Sequence, residues 1–328
     1  MTLLNIFYII VGIVLVLWGA DRLTEGASSL ARGMRVPEIV IGLTIVAAGT
    51  SAPEMFVSLV SALKGTADLA VGNVIGSNIF NTTLIVGCSA LVAPMVVSKS
   101  TVRKDIPFAV VASLMLFVLC FDDMDSPHLW GNEITRSDGV ILLIGFVGFM
   151  IYTFNVAKKD GLMPTEEELE ENAEQPKDYS NLWRNLLWIA LGLACLIYGS
   201  NLFVDAATYV AHRFGVRQSI IGLTIVAGGT SLPELATSVV AAYKGRSAIA
   251  IGNVIGSNVY NILLILGVTA VISPLRIMGI TIVDLMMLLV TIGFMWLFAF
   301  TKFYVSRREG AVLVAFFLLY MGWLFYLI

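Results

Sequence analysis

Ile41-Gly42-Leu43-Thr44-Ile45-Val46-Ala47-Ala48-Gly49-Thr50-Ser51-Ala52-Pro53-Glu54 is an apolar run that ends in small, polar and helix-breaking residues, then a carboxylate. It returns 180 positions later as Ile221-Gly222-Leu223-Thr224-Ile225-Val226-Ala227-Gly228-Gly229-Thr230-Ser231-Leu232-Pro233-Glu234. A second block, Gly72-Asn73-Val74-Ile75-Gly76-Ser77-Asn78, is repeated letter for letter as Gly252-Asn253-Val254-Ile255-Gly256-Ser257-Asn258, and Asn81 is matched by Asn261. Between 41–85 and 221–265, 28 of 45 positions are identical. The chain is a duplication, and its least altered part is polar. Apolar helices drift between copies without losing their role. Two copies of Gly-Thr-Ser-x-Pro-Glu that keep their letters are expected to do the same chemical job.

The surroundings of these motifs are apolar. Of 328 residues, 58% are hydrophobic and only 13% charged, with a mean hydropathy of +0.89. A soluble domain carries about 25% charged residues. A bilayer-crossing helix needs about 20 apolar residues, and ten such segments can be read. They are 3–21, 39–62, 69–92, 106–121, 138–157, 182–205, 219–242, 249–272, 280–300 and 311–328. No signal peptide is expected, because the first helix is too long and has no small-residue cleavage site. No soluble domain is expected either, and nothing points to nucleic acid. The fold class is therefore an all-α integral membrane protein.

Lys and Arg gather in cytoplasmic loops. With the amino terminus outside, the inner loops hold Arg32, Arg35, Lys99, Arg103, Lys104, Lys158, Lys159, Lys177, Lys244, Arg246, Lys302, Arg307 and Arg308. The outer loops hold Lys64, Arg136, Arg213, Arg217 and Arg276. Both termini are expected on the outer side of the cell (inner, cytoplasmic) membrane. Five helices per copy is odd, so the second copy must enter the membrane upside down. This predicts two inverted-topology five-helix repeats, 1–157 and 182–328, joined by an acidic cytoplasmic linker at 158–181. Inverted repeats are a common architecture of secondary transporters.

Most other polar features read as structure. Cys88, Cys120 and Cys195 fall in or at the ends of apolar segments and read as small buried hydrophobes. His128 and His212 read as residues of connecting regions and form no zinc-hydrolase pattern. Asp122, Asp123, Asp125 and Glu133 read as a solvated outer loop. The Glu166–Glu171 run lacks the ligand spacing of an EF-hand and reads as a flexible charged linker. Asp21, Glu25 and Asp205 read as charges near the ends of helices one and six, in reach of interfacial water. Pro107 fits the first turn of a helix.

Glu54 and Glu234 are different. Each lies inside a long, otherwise uncharged segment, where a charge costs at least about 2.5 to 3.5 kcal/mol. Pro53 and Pro233 remove a backbone donor and free carbonyls one turn earlier, which membrane interiors tolerate only against protein or a cavity. Residues 47, 50, 51 and 54 have the spacing of one helical stripe. They offer the Ala47 carbonyl, Thr50 and Ser51 oxygens and a carboxylate; Ala227, Thr230, Ser231 and Glu234 offer the same in the other copy. Asn73, Ser77 and Asn81 share a face, as do Asn253, Ser257 and Asn261. Apart from amide NH2 groups the offered atoms are all oxygen, which suits the hard cations calcium, magnesium and sodium. Two carboxylates in one site need about two positive charges: one calcium, two or more sodium ions, or protons, which compete for the same oxygens. An empty, doubly charged site is too costly to carry across the membrane, so exchange is expected rather than a passive pore. No residue pattern supports an intramembrane hydrolase with Ser51 or Ser231 as nucleophile, and the chain is not expected to be an enzyme.

The doubled Gly-Thr-Ser-x-Pro-Glu, each followed by Gly-Asn-x-x-Gly-Ser-Asn, resembles the sodium/calcium exchangers of the calcium/cation antiporter superfamily over essentially the whole chain. The resemblance implies ten helices in two inverted repeats, with ions bound centrally between helices two, three, seven and eight. It also implies alternating access by sliding of helices one and six, typically with three sodium ions exchanged for one calcium. It implies calcium ligands Glu54, Glu234, Thr50 and Thr230. Sodium sites would use Ala47, Ser51, Ser77, Ala227, Ser231 and Ser257 beside the same glutamates, with Asn81 and Asn261 lining the centre. Calcium and sodium are then cargo, and no cofactor is implied. Asn261 stands where potassium-dependent and some archaeal members have Asp, which resembles the potassium-independent pattern. Animal exchangers carry a large cytosolic regulatory domain for which the linker here is too short. A proton-coupled calcium antiporter using the same glutamates is the alternative reading.

Overall fold

The computed structural model describes residues 2–34, 36–120, 133–159, 182–214, 227–277 and 280–327. Long helices dominate: α1 (Thr2–Met34), then α2 (Glu38–Thr50) and α3 (Ala52–Leu63), which meet at a 46° bend. They are followed by α4 (Ala67–Val92), α5 (Ile106–Leu119) and α6 (Arg136–Lys159). The second copy contributes α7 (Leu182–Arg213), α8 (Ala227–Thr230), α9 (Leu232–Tyr243) and α10 (Ser247–Ile272). Last come α11 (Ile282–Lys302) and α12 (Arg307–Leu327). Six of the described helices are long and apolar enough to cross a membrane, and the α2–α3 pair makes a seventh. The protein is a multi-pass helical membrane protein. The expected linker lies outside the described residues beyond Lys159, as do Asp122, Asp123, Asp125, His128 and residues 219–226 of the seventh expected segment.

The two copies punctuate their helices alike. Gly65 and Gly245, with φ of +78° and +73°, end α3 and α9 in the left-handed conformation that glycine adopts without Cβ strain. The amides of Gly65 and Thr66 bond back to Ala62 and Ser61 at 3.0 and 2.9 Å. Those of Gly245 and Arg246 bond to Ala242 and Ala241 at 2.9 and 2.8 Å. This is the double backward closure of a Schellman motif, and it turns the chain directly into α4 and α10.

Those two helices are the centre of the protein: 72% of the apolar span in α4 and 78% of that in α10 is buried, against 22% in α1 and 28% in α7. At the periphery α1 and α7 pack together along glycines seven residues apart. A Cβ on Gly12 would sit 2.8 Å from the Gly199 carbonyl, and one on Gly19 would sit 2.7 Å from that of Gly192. Only glycine permits this approach of two backbones. Short antiparallel strands tie the copies together. β1 (Met95–Val96) pairs with β4 (Tyr304–Val305), and β2 (Glu133–Ile134) with β3 (Leu275–Arg276).

Several expectations change. The first helix runs to Met34 and α7 to Arg213, so Asp21, Glu25 and Asp205 lie inside helices rather than near their ends. Asp21 and Glu25 are ion-paired, with Lys244 Nζ at 2.6 and 3.3 Å and Arg22 at 3.0 and 2.9 Å. His212 is in the last turn of α7, not in a connection. Glu133 is part of β2 and pairs with Arg276 at 3.4 Å. The expected segment 106–121 begins earlier, because a π turn at Thr101–Asp105 runs directly into α5.

Candidate ion-binding site

Each Glu-bearing segment is a broken helix. Ser51 has φ −81° and ψ 7°, and α3 restarts with Pro53 among its first residues, where the missing N–H costs nothing. Ser231, with φ −90° and ψ 8°, does the same ahead of Pro233. The expected single stripe through residues 47, 50, 51 and 54 is therefore two half-helices: Ala47 and Thr50 end one, and Glu54 opens the next. The break places Glu54 and Glu234 in the first turns of α3 and α9, where exposed N–H dipoles favour negative charge.

The site is laced across the copies. Ser231 Oγ donates to Glu54 Oε1 at 2.9 Å, and Ser51 Oγ donates to Glu234 Oε1 at 3.0 Å. Thr230 also neighbours the Glu54 carboxylate, and Thr50 that of Glu234. Ser77 Oγ lies 3.2 Å from Ser231 Oγ, and Ser257 Oγ lies 3.5 Å from Glu234 Oε1. The result is two matching oxygen clusters, Glu54–Ser231–Ser77 and Glu234–Ser51–Ser257. Glu54, Thr50, Ser51, Ser231, Glu234 and Ser257 are all at most 2% exposed. The Ala47 carbonyl accepts the Ser51 amide at 3.0 Å, and Thr50 Oγ1 lies 3.4 Å from it. Ala227 begins α8, one turn before Ser231.

Asparagines brace these clusters. Asn73 Nδ2 donates to the Glu54 carbonyl at 3.3 Å and to Ser58 Oγ at 3.0 Å. Asn253 Nδ2 repeats this with the Glu234 carbonyl at 3.4 Å and Ser238 Oγ at 3.0 Å. Asn253 Oδ1 also accepts from Thr50 Oγ1 at 3.0 Å. Asn81 and Asn261 sit in π turns, Asn81–Ile85 and Tyr260–Leu266, which advance the helix register by a fraction of a turn. Asn78 and Asn258 were not singled out from the sequence, although both lie in the block repeated without change. They bond across the copies: Asn81 Nδ2 donates to Asn258 Oδ1 at 3.1 Å and Asn261 Nδ2 to Asn78 Oδ1 at 2.9 Å.

Among the buried side-chain atoms left without a partner, four stand in equivalent pairs from the two copies. Glu54 Oε2, Asn81 Oδ1, Glu234 Oε2 and Asn261 Oδ1 are buried, and no donor among the described residues reaches them. A buried acceptor without a partner costs about 1–3 kcal/mol, more when charged. Four of them, in equivalent pairs from the two copies, form a set of oxygens suited to a hard cation. A cavity of about 670 Å³ reaches Ser77 and the bracing Asn73; Phe80, Gly228, Leu232, Asp284 and Tyr320 are among its other lining residues.

Residues 4–155 and 184–326 match the family described as "Sodium/calcium exchanger protein". The chain belongs to that family. It is 30% identical over 356 residues to the sodium/calcium exchanger MaX1 of Methanosarcina acetivorans, covering 100% of both chains. It is 38% identical over 267 residues to the inner membrane protein YrbG of Escherichia coli K12, covering 81% of this chain and 79% of that one. Its fold matches a structure of the sodium-calcium exchanger NCX_Mj, soaked with 10 mM Na+ and zero Ca2+, with a TM-score of 0.84. That match has 30% identity and covers 98% of this chain and 99% of that one. Family and fold are those of membrane antiporters of cations, not of enzymes.

Proposed function

We propose that this exchanger-family protein carries sodium one way and calcium the other, by alternating access, through ten spans arranged as two inverted five-helix repeats. The observation that carries the reading is the symmetric set of four buried oxygens without donors, two of them on carboxylates. In this reading Glu54 and Glu234, with Thr50 and Thr230, hold calcium. Ser51, Ser77, Ser231 and Ser257, with the carbonyls of Ala47 and Ala227, hold sodium beside the same carboxylates, and Asn81 and Asn261 line the centre. The serines' positions support this. Each Ser Oγ in the two clusters already lies within 3.5 Å of a carboxylate or of another serine oxygen, so a sodium ion needs only small rotations to gather them.

Charge balance then gives exchange its logic. With two ionised carboxylates in a dry site the unloaded protein is held back, because burial of an unneutralised pair costs several kcal/mol per ion. Calcium, or sodium ions in its place, removes that cost and lets the helices move. Asn at position 261 leaves two carboxylates rather than three, which favours operation without potassium. The α1–α7 pair, glycine-packed to each other and largely facing lipid, is the natural moving unit. In the orientation predicted by the charge bias, with both termini outside a cytoplasmic membrane, the cavity at Ser77 lies on the outer half.

The test is radiolabelled calcium uptake into proteoliposomes loaded with sodium and diluted into sodium-free buffer, with potassium-loaded and pH-gradient controls. Uptake that requires the outward sodium gradient is expected. Uptake driven by a pH gradient alone would assign the protein to proton-coupled calcium antiport and leave the serines a structural role.

A further inference from the structure

We infer that Asn78 and Asn258 are positioning residues that turn the carbonyl ends of Asn261 and Asn81 toward the transported cation, each copy of the repeat orienting the amide of the other. The inference rests on the ion site proposed above and adds to it two residues that make no contact with the ion themselves.

A primary amide has two unlike ends. Its oxygen accepts hydrogen bonds and binds cations; its NH2 group donates and repels them. Which end faces an ion is decided by what captures the other. Asn261 Nδ2 is captured by Asn78 Oδ1 at 2.9 Å, and Asn81 Nδ2 by Asn258 Oδ1 at 3.1 Å. Asn78 is fixed in turn, because its own Nδ2 donates to the Asn258 backbone carbonyl at 3.2 Å. That bond leaves Oδ1 as the end Asn78 presents to Asn261. Asn78, Asn81, Asn258 and Asn261 are each at most 1% exposed, so water does not take over these bonds. What remains of the two lining amides is Asn81 Oδ1 and Asn261 Oδ1, both buried and undonated. Removing the acceptor at position 78 frees the Asn261 amide to turn and set an N–H where the oxygen was. Groups that orient a ligand in this way typically alter metal affinity by about 10–100-fold when removed.

An aspartate at 261 has an oxygen at both ends and needs no orienting partner, so position 78 loses its importance in that background. The test compares Asn78→Ala in the wild-type and Asn261→Asp backgrounds. It uses the full chain in sodium-loaded proteoliposomes, with calcium binding in detergent by calorimetry and a thermal melt on each variant. The expected result is a half-saturating calcium concentration raised about tenfold or more by Asn78→Ala alone, and raised less than about twofold by the same change beside Asn261→Asp, as strong coupling requires. An equal loss in both backgrounds would overturn the inference and make Asn78 a packing residue. So would an unchanged calcium dependence of Asn78→Ala. If Asn78→Ala does not melt as a folded protein, Asn258→Ala with and without Asn81→Asp decides by the same criteria. A wild-type protein that neither binds calcium nor takes it up against sodium overturns the proposed function and this inference together. A working wild type with additive variants overturns the inference alone.

Discussion

Glu54 and Glu234 each have one oxygen bonded to a serine of the opposite copy and one oxygen without a donor. Replacing either carboxylate by an amide keeps the shape but puts an NH2 at one of those positions and halves the charge available to a divalent ion. Glu54→Gln and Glu234→Gln are each expected to lower sodium-driven calcium uptake at least about 100-fold, the order of two lost charge-assisted contacts. Near-normal uptake by either variant would show that the two carboxylates do not share the cargo. If Glu54 and Glu234 hold calcium as proposed, a proton on either occupies an oxygen that calcium needs, and the two are expected to compete. As pH falls, the half-saturating calcium concentration should rise while the maximal rate, measured at high calcium, stays constant. Inhibition that high calcium fails to relieve would locate the acid-sensitive group elsewhere.

At the scale of elements, the site depends on backbones coming unusually close. A Cβ on Gly256 of α10 would fall 2.7 Å from the Leu43 carbonyl and 2.6 Å from the Ala47 Cβ of α2. Gly256→Ala must push the two helices apart, and Ser257, the next residue, goes with α10. Overpacking of this kind costs about 1–3 kcal/mol. The variant is expected to melt several degrees lower and to bind calcium more weakly; an unchanged melt and affinity would mean that the contact relaxes at no cost. Much at this scale was legible in the sequence. Pro53 and Pro233 mark a disturbed turn, but not that the stripe through Ser51 and Ser231 splits into two half-helices. The duplication and the polar faces of α4 and α10 follow from repeated letters and their spacing. The π turns did not, because a one-residue change of helical register leaves no compositional mark. Nor did the lengths of α1 and α7. Asp21, Arg22 and Glu25 look like helix-ending charges until Lys244, distant in sequence, is seen to neutralise them. The crossing of bonds between copies was equally hidden: a serine one residue after Thr50 gives no sign that its acceptor is a carboxylate 183 positions away.

The whole molecule is less symmetric than its site. Lys244 and Arg246 tie the α9–α10 turn to Asp21, Glu25 and Glu38, with Arg246 3.1 Å from Glu38. At the equivalent positions of the other copy stand Lys64, Thr66, Asn201, Asp205 and Gln218, a set that retains one cation and one carboxylate. In the proposed alternating access, opening a path on the Lys244 side requires α1 to separate from that turn. The Lys244 pairs are partly exposed, at 25% against 32% and 50%, so each is worth at most about 1 kcal/mol. Lys244→Gln should therefore raise the labelling rate of a Thr44→Cys probe, attacked from that side in an otherwise cysteine-free protein, by about two- to fivefold. No increase would mean that the tie does not restrain opening. The lacing across copies has a second effect, on how the protein is made. Ser231 follows Glu54 by 177 residues, and a ribosome adding about 5–20 residues per second reaches it roughly 10 to 35 s later. During that interval the first half carries a carboxylate, Glu54, and two amides, Asn78 and Asn81, whose partners do not yet exist. The newborn chain must shelter them at the insertion machinery, or hold Glu54 as the neutral acid, until its second half arrives.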